Sequence, residues 1–218
     1  MGDDTQSTSA PEAKGSWFSA LTYDPFLWLG ERAGMAERRR RILSSARGRV
    51  LELGAGTGLN LPHYPERVER LVLDEPEEHM VARLKRRRDE LGRSAEIVSA
   101  PAEALPFDDE SFDTVVSTMV LCTVADPQRA LAEAHRVLAS GGNLLFVEHV
   151  RADDERLARW QDRLQKPWES FADGCICNRR TLELLRGEGF DVTVTERGAW
   201  RRMPPIVRPL VAGRAVRA

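Results

Sequence analysis

The sequence predicts a doubly wound α/β fold, a parallel sheet with helices on both faces, and three observations lead there. Short apolar runs alternate with charged, helix-period segments between residues 50 and 148, the order that specifies parallel strands joined by helical crossovers. The first run, "RVLELGAGTGLN" (49–60), ends in Gly54, Gly56 and Gly58, the kind of tight turn at which such sheets bind ligands. An acidic strand end, Asp74-Glu75-Pro76, follows in "LVLDEPEEHM", about 20 residues beyond the turn, where a carboxylate can take the hydroxyls of a ribose.

The elements follow in order. Trp17 to Leu43 reads as helical, broken near "TYDP", where Pro25 biases Asp24 away from the helical region. Its Trp17, Phe18, Leu21, Phe26, Leu27 and Trp28 suit an arm packed over a pocket; a membrane-surface helix is the other reading. Val50–Leu53 is a short buried strand, with a helix expected after the glycines. Arg70–Leu73 is the second strand, Glu77–Leu91 a charged helix and Ala95–Val98 the third strand. The turn Asp108-Asp109-Glu110-Ser111 introduces a fourth at Phe112–Thr118. Asp126–Leu138 reads as a helix stopped by Gly141-Gly142, and Asn143–Glu148 as the fifth strand. Arg151–Trp168 is a helical arm, Asp173–Cys177 a loop, Arg180–Gly187 a helix, Phe190–Glu196 a strand and Ile206–Val216 a closing segment. Residues 1–15, acidic and polar, read as a disordered tail. Residues 16–218 read as one domain, with 16–45 as a helical cover and 151–180 as an insertion on the substrate side.

Bulk properties narrow the function. A net charge of −2 in 218 residues argues against a general nucleic-acid binder, and the runs Arg38–Arg41 and Lys85–Arg88 read as solvated helix faces. Three cysteines, Cys122, Cys175 and Cys177, make no disulfide framework and fit a reducing cytoplasm. No stretch approaches the roughly 18 apolar residues of a membrane span, so no stable membrane anchor is expected. Nothing specifies monomer or homodimer.

The glycine turn reads less as a pyrophosphate site than as a site for a cationic nucleoside. Leu59 stands where a dinucleotide fold wants its third glycine, and no GxxxxGK[ST] loop is present. Glu52, just inside the strand end, would repel phosphate but suits an ammonium group. With Glu75 on a ribose, the two carboxylates favour a nucleoside with a positive amino-acid end, a description that S-adenosyl-L-methionine (SAM) meets.

"VLELGAGTGLN", "LDEPEEHM", "AEALPFDDESFDTVVS" and "HRVLASGGNLLFVEH" together resemble, in order and spacing, the motifs of class I SAM-dependent methyltransferases over roughly residues 45–195. That resemblance implies a mostly parallel, seven-stranded Rossmann-like sheet, SAM as cofactor and S-adenosyl-L-homocysteine as product. It implies that Gly54, Ala55, Gly56 and Gly58 pass the methionine end, that Glu75 holds the ribose, and that Pro101, Ala102 and Glu103 flank the adenine. Tyr23, Glu52, Asn60, Pro76, Met80, Thr118 and Leu121 complete the expected cofactor shell. Many relatives read "DAE" where this chain has Pro101-Ala102-Glu103, so Glu103 or a backbone carbonyl would have to serve the adenine amino group.

Cofactor motifs leave the methyl acceptor open. "STMVLCTV" (117–124), "VEHV" (147–150) and "WQDRLQKPWESFADGCICNRRT" (160–181) are similar to the alkyl-thiol methyltransferases of animals and their bacterial relatives, which implies S-methylation of a small, rather apolar thiol. A thiol needs only one weak base, because a few per cent is already thiolate at neutral pH. Asp173, His149 and Asp24 are the candidate bases, each with a bland alternative as a cap, a hydrogen-bonded core residue or a turn residue. Glu148 reads as structural. No His/Asp/Glu cluster has metal spacing, so no metal is expected, and the lone CxC of Cys175 and Cys177 is weak evidence for one. The Trp17, Trp28, Trp160, Trp168 and Phe171 rings are expected to wall an apolar pocket. The competing functions are O- or N-methylation of a quinone, phenol or lipid amine, and SAM binding without catalysis.

Overall fold

The computed structural model describes residues 28–172 and 174–217; the tail, most of the aromatic arm with Trp17, Tyr23 and Asp24, and Asp173 lie outside them. A π-helical turn, Glu31–Met35, runs into α1 (Ala36–Leu43). Next come β1 (Gly48–Leu53), a 3-10 turn at Leu61–His63, β2 (Val68–Asp74), α2 (Glu78–Glu90), β3 (Glu96–Val98) and β4 (Phe112–Thr118). The chain continues through α3 (Pro127–Val137), β5 (Leu138–His149), α4 (Glu155–Phe171), α5 (Thr181–Gly187), β6 (Phe190–Ala199), a 3-10 turn at Pro205–Val207 and β7 (Pro209–Arg217).

The seven strands form one sheet in the order β3-β2-β1-β4-β5-β7-β6. The pairs from β3 to β5 are parallel; β7 is antiparallel to both its neighbours. Side-chain alternation along these strands sorts the core into two layers. Val50, Leu71, Leu73, Val116, Leu145 and Val147 face one way, against Ile42 of α1 and Leu84 of α2. Leu51, Leu53, Val72, Val115, Leu144 and Phe146 face the other, against Leu131 of α3 and Leu185 of α5. Helices therefore cover both faces, as expected.

Three local expectations are corrected. No α-helix follows the glycines: Pro62 and Pro65 leave room only for the 3-10 turn. The Gly141-Gly142 pair does not lie in a loop: α3 ends at Val137, and β5 starts at Leu138 and runs through both glycines. The Arg38–Arg41 run is not wholly a solvated face, because Arg39 is 4% exposed. Trp28, Trp160 and Phe171 are more than half exposed, whereas Trp168 packs against the first core layer. α1 packs on β5 and β7, and α4 on the 3-10 turn at Pro205–Val207. Among the described residues no helix is long and apolar enough to cross a membrane.

Candidate active site

The strand order reverses between β1 and β4, and the crevice at their carboxyl ends is the default ligand site of such a sheet. Gly54, Gly56 and Gly58 all have positive φ, at 52°, 57° and 82°, a region that costs other residues about 1–2 kcal/mol. A Cβ at Gly54 would come within 2.9 Å of Val120, and one at Gly58 within 2.8 Å of Leu61 and Leu84. A Cβ at Gly56 would meet nothing within 4 Å. Gly56 is thus bare backbone facing open space, where a ligand can approach closely.

Glu75 lies against that turn. Its Oε2 accepts from the Gly56 amide at 2.7 Å and its Oε1 from the Glu77 amide at 3.0 Å; burial pushes its pKa up. The Ala55 amide bonds to the Asp74 carbonyl at 2.8 Å, tying the turn to the end of β2. Glu77 caps α2 by accepting from the amides of His79 and Met80, so Pro76 and Met80 stand at the start of that helix.

On the other side of the turn, Glu52 is 3% exposed. Its Oε1 accepts from Asn60 Nδ2 at 2.9 Å and its Oε2 from Tyr64 Oη at 2.6 Å. Burial raises its pKa to about 7 against the opposing pull of these two donors. Asn60 Nδ2 also donates to Thr118 Oγ1 at 3.0 Å, and Asn60 Oδ1 accepts from Arg39 Nη1 at 2.9 Å. Arg39 is paired in turn with Glu31. A buried carboxylate poised near neutrality fits a cationic ligand group, which would restore its charge. Arg39 and Tyr64 were missed by sequence reasoning. Arg39 was hidden in a basic run; Tyr64, in "LPHYP", was the one hydroxyl-bearing aromatic near the turn.

Ala102 is buried and Pro101 exposed, and Glu103 Oε1 accepts from the Asp126 amide at 3.2 Å. Nearby, Asp74 Oδ1 accepts from the Ala100 amide at 3.1 Å while its buried Oδ2 has no partner. Burial lifts Asp74 to about 8.

Beyond β4 the chain turns sharply, with Met119 at φ 62°. Glu148 holds this turn: its Oε1 accepts from Ser117 Oγ at 2.8 Å and from the amides of Val120 and Leu121 at 3.1 and 3.2 Å. Leu121 is buried and packs with the second core layer. Next to Glu148, His149 is buried, and its Nε2 lies 3.1 Å from Cys175 Sγ. Cys175 Sγ also accepts from Trp168 Nε1 at 3.3 Å. A hydrogen bond from Cys175 and the charge of the His149 imidazole pull the Cys122 thiol well below its ordinary range. The candidate bases Asp173 and Asp24, and Tyr23, lie outside the described residues.

A methyltransferase domain family matches residues 51–146. The chain is 36% identical over 199 residues to the human thiol S-methyltransferase TMT1B, covering 84% of this chain and 80% of that one. It is 39% identical over 132 residues to the phosphatidylethanolamine N-methyltransferase of Cereibacter sphaeroides, covering 59% and 64% respectively. Among solved structures, a SAM-dependent methyltransferase from Thermotoga maritima superposes with a TM-score of 0.68 at 23% identity, over 93% of this chain and 97% of that one.

Proposed function

The chain belongs to the SAM-dependent methyltransferases, and from that premise we propose that it methylates the sulfur of a small, rather apolar thiol. The observation that carries this reading is the reach of the likeness to the thiol S-methyltransferase, whose 199 aligned residues extend well beyond the 51–146 methyltransferase core. The likeness to the lipid N-methyltransferase is limited to 132 residues. It favours an amine acceptor as a second reading.

SAM supplies a methyl group already activated by its sulfonium, so the protein has to bind, align and deprotonate. In this reading Glu52, oriented by Asn60 and Tyr64, receives the ammonium group. Gly56 offers its bare backbone to the methionine portion, and Glu75, fixed by two amides, takes the ribose hydroxyls. Pro101, Ala102 and Glu103 border the adenine. Glu103 already accepts from an amide, which leaves a backbone carbonyl to serve the adenine amino group. Asp173, in the "DGC" loop, takes the thiol proton; Asp24 is the reserve from the amino-terminal arm.

The test follows S-adenosylhomocysteine release with matched panels of alkyl thiols, phenols and amines, for the parent chain and Asp173→Asn. Turnover confined to thiols, and cut roughly 100-fold or more by the substitution, is expected. Turnover of phenols or amines with thiols inert would sink the acceptor assignment, and full activity of Asp173→Asn would remove Asp173 as the base.

A further inference from the structure

Three soft side chains meet where the scheme above leaves them unused. Cys122 comes from the turn after β4, His149 from the end of β5 and Cys175 from the loop after α4. All three are buried, at 2%, 4% and 7% exposure, and one ligand atom from each lies within 4.8 Å of the other two. The cluster is not needed to hold the turn, because Glu148 already does so through Ser117, Val120 and Leu121. Nor is it ordinary apolar packing: two thiols and an imidazole converge, and an indole N–H is aimed at one of the sulfurs.

We propose that Cys122, His149 and Cys175 hold one Zn2+ ion in a three-ligand site whose fourth position receives the sulfur of the methyl acceptor. The first half stands on the cluster alone; the second rests on the thiol reading above. Two sulfurs and one imidazole are a donor set for a d10 ion, and three protein ligands with one open position are the arrangement of catalytic rather than structural zinc. Bonds of about 2.3 Å to sulfur and about 2.0 Å to nitrogen separate tetrahedral ligand atoms by roughly 3.5–3.8 Å. The three atoms stand within 4.8 Å of one another, and the His149–Cys175 pair is at 3.1 Å, so small side-chain rotations suffice. The Trp168 N–H on Cys175 Sγ is the outer partner that orients a thiolate ligand.

The chemistry balances. Cys122 and Cys175 lose their two protons to solvent when the ion binds, and the site is then neutral. The acceptor sulfur loses its proton to the base as its bond to the ion forms. It then bonds to the methyl carbon as that carbon's bond to the sulfonium breaks, the electron pair staying on the departing homocysteine sulfur. The product thioether is neutral and a poor ligand, so it leaves.

The test uses the full chain, purified without chelators. Elemental analysis is expected to find about one Zn2+ per chain, falling to background in Cys122→Ser and Cys175→Ser while SAM binding by calorimetry is kept. Trp168→Phe is expected to weaken Zn2+ binding roughly tenfold. After exchange for Co2+, thiolate-to-metal absorption should appear and shift on adding an alkyl thiol, and stay unmoved by a phenol. No bound Zn2+ or Co2+ in the parent chain, or loss of two titratable thiols to a disulfide there, would overturn the site even if thiol turnover persisted. A Co2+ spectrum indifferent to thiols that turn over would overturn the open position. Metal retained by a chain that methylates only amines would support the site and reject the thiol reading instead.

Discussion

At Glu52 burial and hydrogen bonding pull in opposite directions. Desolvation raises the carboxyl to about 7 although Tyr64 and Asn60 both donate to it. An incoming ammonium group favours the ionised form, so ligand-free protein below neutrality must first release a proton in order to bind. The Kd for SAM is therefore expected to weaken as pH falls below about 7, by close to tenfold per pH unit. Glu52→Gln should bind about 10- to 100-fold more weakly at neutral pH, with that slope lost. Titration calorimetry across the range decides it; an unchanged slope in Glu52→Gln would move the titration to another group. Part of this site was legible in the sequence. A glutamate at a strand end before a glycine turn is a local pattern, and so is an acid about 20 residues on. That Arg39 is buried and reaches Asn60 across 21 residues is not local: within the run, Arg39 differs from exposed Arg40 and Arg41 only in which side of α1 meets the sheet.

At the scale of elements, α4 is secured by one buried amide. Gln161 Oε1 accepts from the Ala152 amide at 2.8 Å, and its Nε2 faces the carbonyls of Val150, Cys177 and Ile206 at 3.1, 3.0 and 2.8 Å. One side chain thus joins the end of β5, the Cys175–Cys177 loop and the 3-10 turn before β7. Gln161→Leu leaves these groups buried without partners, and is expected to destabilise the chain by about 2–4 kcal/mol in urea unfolding. Hydrogen exchange should quicken first in residues 150–178. A loss below about 0.5 kcal/mol would mean that the other contacts of α4 hold it. The helical period of this arm was readable from sequence. The role of its glutamine was not, because its four partners come from three separate segments.

For the whole molecule, the acids buried near the crevice set a pH dependence of stability. Glu52 rises from an ordinary 4.5 to about 7 and Asp74 from 3.8 to about 8, both through burial. The folded chain then holds more protons than the unfolded chain between about pH 4 and pH 8, so stability falls as pH rises through that window. Glu52 alone corresponds to about 3 kcal/mol. Thermal unfolding of ligand-free protein should therefore give a higher Tm near pH 6 than near pH 8, and SAM should narrow the gap by supplying a cation to Glu52. A flat or rising profile in the absence of ligand would contradict this.

The sequence by itself determined the sheet, its doubly wound order, the glycine turn and the two acids flanking it. Strand alternation, helix period and turn chemistry act within a few residues, and four motifs in order bring their ligand with them. It misread what happens where local signals conflict. Prolines replaced the helix after the glycines with a 3-10 turn, and Gly141 and Gly142 lie inside β5, in the register irregularity between its paired residues Leu138 and Asn143. Only the tertiary structure decided which polar side chains converge. Arg39 meets Asn60 because α1 packs on the sheet, and Gln161 meets three segments and Cys122 meets His149 and Cys175 because β4 and β5 end, and β7 begins, at one edge of that sheet. That is a consequence of long-range register, which no spacing along the chain records.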